Sequence, residues 1–288
     1  MKKTIILGNG FDLNLGFPTS YKDFIASTVF TSNLWSGMPF AYGVGSHPSN
    51  LFRYIQSKAA EDPRWTDIEK LLSEYSKKGE VSISTRRGSA SVPNVSTQEI
   101  YGYYEQLKSS LRDYLQSIKF QEKANRSSLA YRLLSAISGY YEADLSVLSF
   151  NYTLPEKIFP ELNLRGKIIN IHGNIESDII LGINDSGLYD SSYSYLVKTK
   201  DYASQLSMVR EKILEADELV IFGHSLGETD RDYFQNTLPF LHKRVIIISK
   251  NVFSREEIRN ELMSINAYHV RDNAEWYFTE QGERIVIL

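Results

Sequence analysis

The stretch ELVIFGHSLGETD, Glu218 to Asp230, indicates the fold of this chain. Residues Glu218–Phe222 are mostly apolar, glycine and polar residues follow, and the acidic residues from Glu228 onward are typical of a helix start. A run that is apolar throughout, rather than alternating with polar residues, is typical of a strand buried on both faces of a parallel sheet. The stretch therefore predicts a strand, a loop at its carboxyl end and a helix.

Further runs of the same character recur along the chain, at Thr4–Leu7, Leu145–Phe150, Lys167–Ile171 and Val245–Ser249. Ile179–Ile183 is predicted either as a strand or as a loop at the sheet edge. Helical patterns lie between and after the later runs, at Met208–Ala216, Glu228–Phe240 and Ser254–Ile265, the last with a capping box of Ser254 and Glu257. Alternating strands and helices predict an α/β fold with a doubly wound, mostly parallel, Rossmann-like sheet.

The segment between the first and second strands has a different character. Helical spacing of apolar residues predicts helices over Tyr101–Phe120, after a capping box at Ser96–Glu99, and over Trp65–Tyr75. Gly-, Ser- and Pro-rich composition predicts exposed loops at Ser36–Asn50 and Ser76–Asn94. We therefore predict a single domain over residues 1–288, with a core of residues 1–27 and 141–288 and a large helical insertion at about 28–140.

The composition excludes several classes of protein. The net charge of −3 gives no strong signal for nucleic acid or an anionic membrane. No run reaches the length of a membrane span, and the apolar run after Met1-Lys2-Lys3 ends too early for a signal peptide. The absence of cysteine excludes disulfides and thiol catalysis and is typical of a reducing compartment. These features predict a soluble, cytoplasmic protein for which no metal is expected.

Glycines and polar residues follow the predicted strands at their carboxyl ends, where ligands bind in doubly wound sheets. Gly8-Asn9-Gly10-Phe11-Asp12 follows the first strand, and Pro18 comes soon after. Glycines there allow a backbone to approach a diphosphate and to turn into a helix whose amides favour anions. Because Leu13 stands where G-x-G-x-x-G has its third glycine, a bare glycine turn is an open alternative.

The second, third and fourth predicted strands end at Asn151, at His172-Gly173 and at the loop Gly223–Gly227. We expect the amide, the imidazole and two glycine turns to meet at one edge of the sheet. His172 alone is compatible with a structural histidine, and Asn151 alone with a turn, since asparagine adopts left-handed backbone readily. Their joint placement favours a functional site.

The motifs that carry these residues resemble those of known families. The run GNGFDLNLGFP, Gly8 to Pro18, has the spacing of the sirtuin signature G-A-G-x-S-x-x-x-G-I-P, and Asn151, His172-Gly173 and Gly223–Leu226 match later sirtuin motifs in order. LGNGFDL, FNYT, HG and GHSLG together are similar to the abortive-infection AbiH family of phage-defence proteins. The resemblance covers both ends of the chain and is weakest through the predicted insertion.

The resemblance implies a phage-defence protein that binds NAD in a sirtuin-like crevice and hydrolyses it to nicotinamide and ADP-ribose. It implies that Asn151 orients water or the ribose and that His172 acts as a base, a task suited to its ordinary pKa near neutrality. It also implies a nucleotide-binding set comprising Gly8, Asn9, Gly10, Phe11, Asp12, Pro18, Gly173, Gly223, His224, Ser225 and Asp230. The missing cysteines, and Thr19–Lys22 in place of the sirtuin Phe-Arg, argue against a protein deacylase.

Alternatives stay open at this point. Thr153 stands where sirtuins carry a nicotinamide-binding aspartate, so a non-catalytic nucleotide sensor fits as well. Gly223–Gly227 also matches the G-x-S-x-G elbow of serine hydrolases, with Ser225 as nucleophile. The acids and histidines that follow it, however, do not have the sequence order and spacing of a Ser, Asp or Glu, His triad. Glu69 is either a catalytic acid or the wet side of an amphipathic helix. NAD or a related adenine nucleotide, an unknown phage trigger and another copy of the chain are the expected partners.

Overall fold

A computed structural model describes residues 1–35, 51–61, 67–78, 81–85, 88–92, 97–140, 144–184 and 191–281. Its strands in the described residues are β1 (Lys3–Leu7), β2 (Val81–Thr85), β3 (Gly88–Val92), β4 (Leu145–Ser149), β5 (Ile168–Asn170), β6 (Glu218–Phe222), β7 (Arg244–Ser249) and β8 (Glu275–Phe278). Six of them form one sheet in the order β5-β4-β1-β6-β7-β8, and each neighbouring pair is parallel. The predicted α/β class with a parallel sheet is confirmed.

The five predicted apolar runs are all strands of this sheet, with ends that agree within one or two residues. Every residue of β1 and β6 is buried, which explains why these strands lack alternation. The sequence missed β8 because this edge strand, EWYF, is mostly half-buried and has a partner on one side only. Ile179–Ile183 is a loop in which only Ile183 forms a bridge, to Val197.

The order of the strands reverses once. Numbered among the parallel strands alone, the sheet runs 3-2-1-4-5-6: the chain steps outward from β1 to β4 and β5, then crosses back to β6 on the other side of β1. The loops after β1 and β6 therefore leave neighbouring strands in different directions. An opening between such loops is the usual ligand position in sheets of this type.

The described residues also form helices in both parts of the chain. They are α1 (Asn9–Asn14), α2 (Tyr21–Ala26), α3 (Thr28–Ser32), α4 (Leu51–Glu61), α5 (Ile68–Lys78), α6 (Thr97–Ser117), α7 (Phe120–Lys123), α8 (Leu129–Ser138), α9 (Pro155–Ile158), α10 (Thr199–Glu215), α11 (Arg231–Phe234), α12 (Val252–Ser264) and α13 (Tyr268–Asn273). The predicted helices near α5, α6, α10 and α12 are present with shifted ends.

Three local predictions are wrong. The span Ser76–Asn94 is not simply a loop: it contains the end of α5 and the antiparallel hairpin of β2 and β3, in which apolar residues alternate with serines. Glu228–Phe240 is not one helix but short turns around α11, with Pro239 in the last of them. The cap of α12 is Asn251, which accepts from the Ser254 amide, so Ser254 and Glu257 form no capping box. Ser36–Asn50, Trp65 and the box at Ser96 lie outside the described residues.

The chain divides into two compact units. The first comprises Met1–Pro18, Lys119–Ile180 and Lys200–Leu288 and contains the whole parallel sheet; the second comprises Thr19–Ile118 and Leu181–Thr199. Residues 119–140 thus group with the sheet, and residues 181–199 with the helical unit. The single domain with a core of 1–27 and 141–288 stays a prediction. None of the helices in the described ranges has the length and apolar character needed to cross a bilayer.

Candidate functional site

The glycine loops after β1 and β6 pack directly against each other. A Cβ at Gly8 would lie 2.5 Å from the Cα of His224, and one at Gly10 would lie 2.7 Å from the Cα of Gly223. Gly223 itself has φ +64°, a left-handed conformation that favours glycine. These three glycines are therefore needed for the approach of two backbones, whether or not a ligand is bound.

Hydrogen bonds join the same two loops. The Gly8 amide donates to Phe222 O at 2.9 Å, and the Gly10 amide donates to Gly223 O at 2.9 Å. The amide of Phe11 donates to Gly8 O, and its ring is buried edge-on against the Phe222 ring. The amides of Gly10 and Phe11 are thus already satisfied by carbonyl groups, while the preceding residue, Asn9, is exposed.

Asp12, the fourth residue of α1, is the centre of a buried polar cluster. Its Oδ1 accepts from Asn151 Nδ2 at 2.9 Å, and its Oδ2 accepts from Thr153 Oγ1 at 2.8 Å. Burial raises the pKa of Asp12 from 3.8 to about 7, although the hydrogen bonds from Thr153 and Asn151 act in the opposite direction. This carboxyl group changes protonation close to neutral pH.

The same cluster fixes the orientation of the Asn151 amide. Asn151 Nδ2 also donates to Gly8 O at 3.1 Å, and a carbonyl oxygen accepts but does not donate, so the NH₂ group must face Gly8 and Asp12. Asn151 Oδ1 consequently points away from both groups, and among the described residues nothing donates to it. Asn170 Nδ2 holds the backbone by donating to Asn151 O and Thr153 O.

A second cluster joins two imidazoles to one carboxylate. His172 Nε2 lies 3.2 Å from Asp230 Oδ1, and His224 Nε2 lies 3.4 Å from Asp230 Oδ2. Both histidines are only 4% exposed, and the Phe150 ring packs edge-on against each, with centroids 5.2 Å and 4.5 Å away. The structure thus assembles residues from the ends of β4, β5 and β6 around Phe150.

Gly8 lies between the two clusters. Its carbonyl group accepts from Asn151, and its Cα faces His224, so the Asp12 cluster and the Asp230 cluster lie at the same edge of the sheet. The predicted catalytic pair, Asn151 and His172, belongs to different clusters, and no hydrogen bond joins the two side chains. The predicted convergence of strand ends is seen in the geometry, while the roles of the residues stay predictions.

Ser225 has the environment of a loop residue. It is exposed, and its Oγ accepts from the Gly227 amide at 3.3 Å. The residues with positive φ in this loop are Gly223 and Leu226 rather than the serine. In the described part of the chain no imidazole or carboxylate forms a hydrogen bond with Ser225, so no base is in place to activate it. The two histidines that follow Ser225 in the sequence, His242 and His269, pack against each other with ring centroids 4.8 Å apart.

Two other predicted ligand contacts have local structural tasks. Gly173 has φ +72°, and a Cβ there would lie 1.9 Å from Asp178 O, so the turn after His172 requires glycine. Pro18 is half-buried next to Phe17, whose ring packs edge-on against Phe120 at 4.9 Å. Neither residue belongs to the two polar clusters. Thr153 and Asn170 do belong to one, and the sequence offered no signal for Asn170 beyond its place at a strand end.

Glu69 lies in the second unit and is not on a solvent-exposed helix face. It is buried, and its carboxylate pairs with Lys198 Nζ at 2.8 Å and accepts from the Gly182 amide at 3.1 Å. The prediction of a solvated charge is therefore wrong. Helical periodicity places a charge on a helix face but does not reveal a cation more than a hundred residues away.

Comparison with known families identifies the chain. A family model described as bacteriophage abortive infection AbiH matches residues 4–249, which include both polar clusters. Neither the curated proteins nor the solved structures contain a match to it. In the described part of the chain, no group of three or more histidine and carboxylate side chains is arranged to hold a metal. The chain belongs to the bacteriophage abortive infection AbiH family, and this membership implies a role in abortive infection.

Proposed function

We propose that this AbiH protein binds NAD, or a closely related adenine dinucleotide, at the carboxyl edge of the sheet and hydrolyses its N-glycosidic bond. Depletion of the nucleotide would then be the effector step of abortive infection. The observation that carries the proposal is the pair of polar clusters on either side of Gly8, where the strand order reverses.

The topology supports a dinucleotide as the ligand. The order 3-2-1-4-5-6 is that of the doubly wound dinucleotide-binding fold, in which the ligand crosses the switch point between the first and fourth strands. The corresponding strands are β1 and β6, whose loops carry Gly8 and Gly223. The proposed arrangement is sirtuin-like, with the sugar near Asn151 and His172.

The polar groups support hydrolysis of a glycosidic bond. In the proposed step the bond between C1′ of the ribose and the nicotinamide nitrogen breaks, and nicotinamide leaves with the electron pair. Water forms the new bond to C1′, and its proton passes to His172, while Asn151 Oδ1 accepts from the water or from a ribose hydroxyl group. The products are nicotinamide and ADP-ribose. The Asp230 carboxylate near His172 stabilises the imidazolium that forms.

The diphosphate of the proposed ligand would not be bound by the backbone amides of the glycine loop. Because the amides of Gly10 and Phe11 donate to protein carbonyl groups, they are not available for phosphate oxygens. The Ser225 hydroxyl accepts from the Gly227 amide, so its own proton is free to donate outward. We assign phosphate binding to exposed donors such as Ser225 and not to the glycine α-carbons.

The test is to incubate purified protein with NAD and to measure nicotinamide and ADP-ribose by chromatography. We expect stoichiometric release of both, and a fall in rate of about 10²- to 10⁴-fold in His172→Gln, the range for loss of a general base. His242→Gln is the matched control, because this exposed histidine pairs with His269 outside both clusters. Equal rates in His172→Gln and the wild type would contradict the proposed role of His172.

One observation favours a second function, that of a nucleotide sensor without turnover. The amide of Asn151 and the carboxyl of Asp12 are bonded to each other, and such a closed network serves equally well to hold a binding loop. A sensor predicts that NAD raises the melting temperature, as any ligand of the folded state does, without being consumed. If NAD is neither consumed nor stabilising, both functions are excluded.

A further inference from the structure

The tautomer of His224 follows from its contacts. The Leu226 amide donates to His224 Nδ1 at 3.0 Å, so Nδ1 must carry a lone pair and the ring proton of the neutral imidazole must be on Nε2. His224 Nε2 faces Asp230 Oδ2 at 3.4 Å. Leu226 adopts φ +57°, an uncommon conformation for leucine, and this conformation presents its amide to the ring two residues earlier. His224 is thus held as a donor toward Asp230.

The tautomer of His172 follows from electrostatics. Its Nε2 is buried and has no aligned hydrogen bond among the described residues, yet Asp230 Oδ1 is 3.2 Å away. An unprotonated Nε2 would oppose its lone pair to a carboxylate, whereas a protonated Nε2 is attracted to it. Because one proton of a neutral imidazole is then on Nε2, Nδ1 is the basic atom, and no described residue donates to it.

We propose that Asp230 and His224 are positioning residues that hold His172 with Nε2 protonated, so that His172 Nδ1 is the atom that accepts the proton from water. The inference rests on the proposed function for the identity of the reaction. It assigns Asp230 to the histidines and not to the adenosine ribose. It also gives His224 a task that the glycine loop alone does not require, because His224 Nε2 faces one oxygen of the carboxylate whose other oxygen faces His172.

The chain of contacts predicts what happens when the carboxylate becomes an amide. In Asp230→Asn, His224 Nε2–H still needs an acceptor and takes the amide oxygen. The amide NH₂ then faces His172 Nε2, which must become an acceptor, so the His172 proton moves to Nδ1. His172 Nδ1, the proposed base, would then carry the proton and could not accept one from water.

The second substitution reverses this change. His224→Phe removes the donor toward residue 230, and the Phe150 and Phe234 rings, 4.5 Å and 5.2 Å from His224, offer an apolar environment for the new ring. In the double variant of Asp230→Asn with His224→Phe, residue 224 no longer donates to the amide oxygen, and we expect that oxygen to face His172. The Nε2–H tautomer of His172 is then restored. A residue with a purely structural role would not produce this reversal.

The experiment is nuclear magnetic resonance of the full chain labelled with ¹⁵N in histidine, which distinguishes the two tautomers from the nitrogen shifts. We expect Nε2–H for His172 in the wild type, Nδ1–H in Asp230→Asn, and Nε2–H again in the double variant. The exposed His242 and His269 are internal controls whose signals stay unchanged. An Nε2–H tautomer of His172 in folded Asp230→Asn would overturn the proposal.

Turnover of NAD by the same three proteins separates this inference from the proposed function. If His172 Nδ1 is the base, kcat falls by on the order of 10² or more in Asp230→Asn, and part of the loss is regained in the double variant. Tautomers that follow the expected series without NAD turnover in the wild type would contradict the proposed function and leave the positioning roles supported. Turnover that is unchanged in Asp230→Asn would overturn the positioning proposal itself.

Discussion

The buried carboxyl group of Asp12 makes the stability of the sheet-containing unit depend on pH. Its pKa is raised from 3.8 to about 7 in the folded chain, first by burial, against the effect of hydrogen bonds from Thr153 and Asn151. The folded state therefore binds a proton more tightly than the unfolded state does. The stabilising contribution is fully present below pH 3.8 and is lost as the pH rises through about 7.

The magnitude follows from the same two values. One pKa unit corresponds to about 1.36 kcal/mol. Between pH 5 and pH 8, ionisation of Asp12 therefore stabilises the unfolded state by about 4 kcal/mol and the folded state by about 1.4 kcal/mol. Asp12 should thus lower the free energy of unfolding by roughly 2.5 kcal/mol over this interval. In Asp12→Asn the amide still accepts from Asn151 Nδ2, and Thr153 turns its hydroxyl group to accept, so the contribution disappears without loss of the cluster.

The measurement is urea unfolding at pH 5 and pH 8, followed by the fluorescence of Trp276 on β8 with Trp35 and Trp65 replaced by phenylalanine. From pH 5 to pH 8, the free energy of unfolding of the parent should fall by roughly 2.5 kcal/mol more than that of Asp12→Asn. Asp113→Asn, at an exposed position of α6, is the control and should follow the parent. Parallel pH profiles of Asp12→Asn and the parent would refute the reasoning.

Three other substitutions test the remaining features. Gly10→Ala places a Cβ 2.7 Å from the Gly223 backbone and should lower the free energy of unfolding in urea by about 1–3 kcal/mol. Gly102→Ala, in open space on α6, should raise it by about 0.5–1 kcal/mol, and equal effects of the two substitutions would contradict the loop packing. Glu69→Gln removes the carboxylate that pairs with buried Lys198 and should cost about 3–5 kcal/mol in urea unfolding. Part of this loss should be regained when Glu69 and Lys198 are both methionine, although the Gly182 amide then loses its bond to Glu69; a cost under about 1 kcal/mol for Glu69→Gln would show a weak pair. Ser225→Ala should raise KM for NAD by about 2- to 10-fold with kcat unchanged, and loss of kcat would instead indicate a nucleophile.

The parallel sheet could be predicted because the apolar runs of its central strands result from burial of both strand faces. Ile5, Ile6 and Leu7 on β1 are all fully buried, so both faces of the strand must be apolar and the run is visible without a partner. The edge strand β8 carries no such pattern, since Glu275 and Trp276 are only half-buried. The hairpin of β2 and β3 does alternate apolar residues with serines, but its strands are only five residues long and lie in a Gly-, Ser- and Pro-rich segment, a composition typical of loops.

The candidate site was predictable to the level of strand ends, but not of contacts. Parallel topology brings the residues after β4, β5 and β6 to one edge, so Asn151, His172 and His224 could be placed together from the sequence. Which of them touch depends on side-chain directions and on Phe150, whose ring lies against both histidines. The pairing of Asp230 with both imidazoles therefore could not be predicted from the sequence.

The glycine signature is explained by the backbone even without a ligand. Gly8, Gly10 and Gly223 allow two loops to cross within hydrogen-bond distance, a geometry that any chain with this strand order can require. Resemblance of this signature to a dinucleotide fingerprint is thus evidence for the crossing of the loops before it is evidence for a diphosphate. The case for a nucleotide has to come from atoms that the protein leaves unused.

Two such atoms share one chemical character. Asn151 Oδ1 and His172 Nδ1 are both acceptors in the assigned orientations, and no described residue donates to either of them. A ligand group that meets them must supply protons, and phosphate or carboxylate oxygens at that place would be repelled. Ribose hydroxyl groups and water are donors, and both are present in hydrolysis of a nucleoside bond. The acceptor character of these two atoms therefore favours a sugar with its attacking water over an anionic group, and the phosphates of the proposed dinucleotide would have to bind elsewhere.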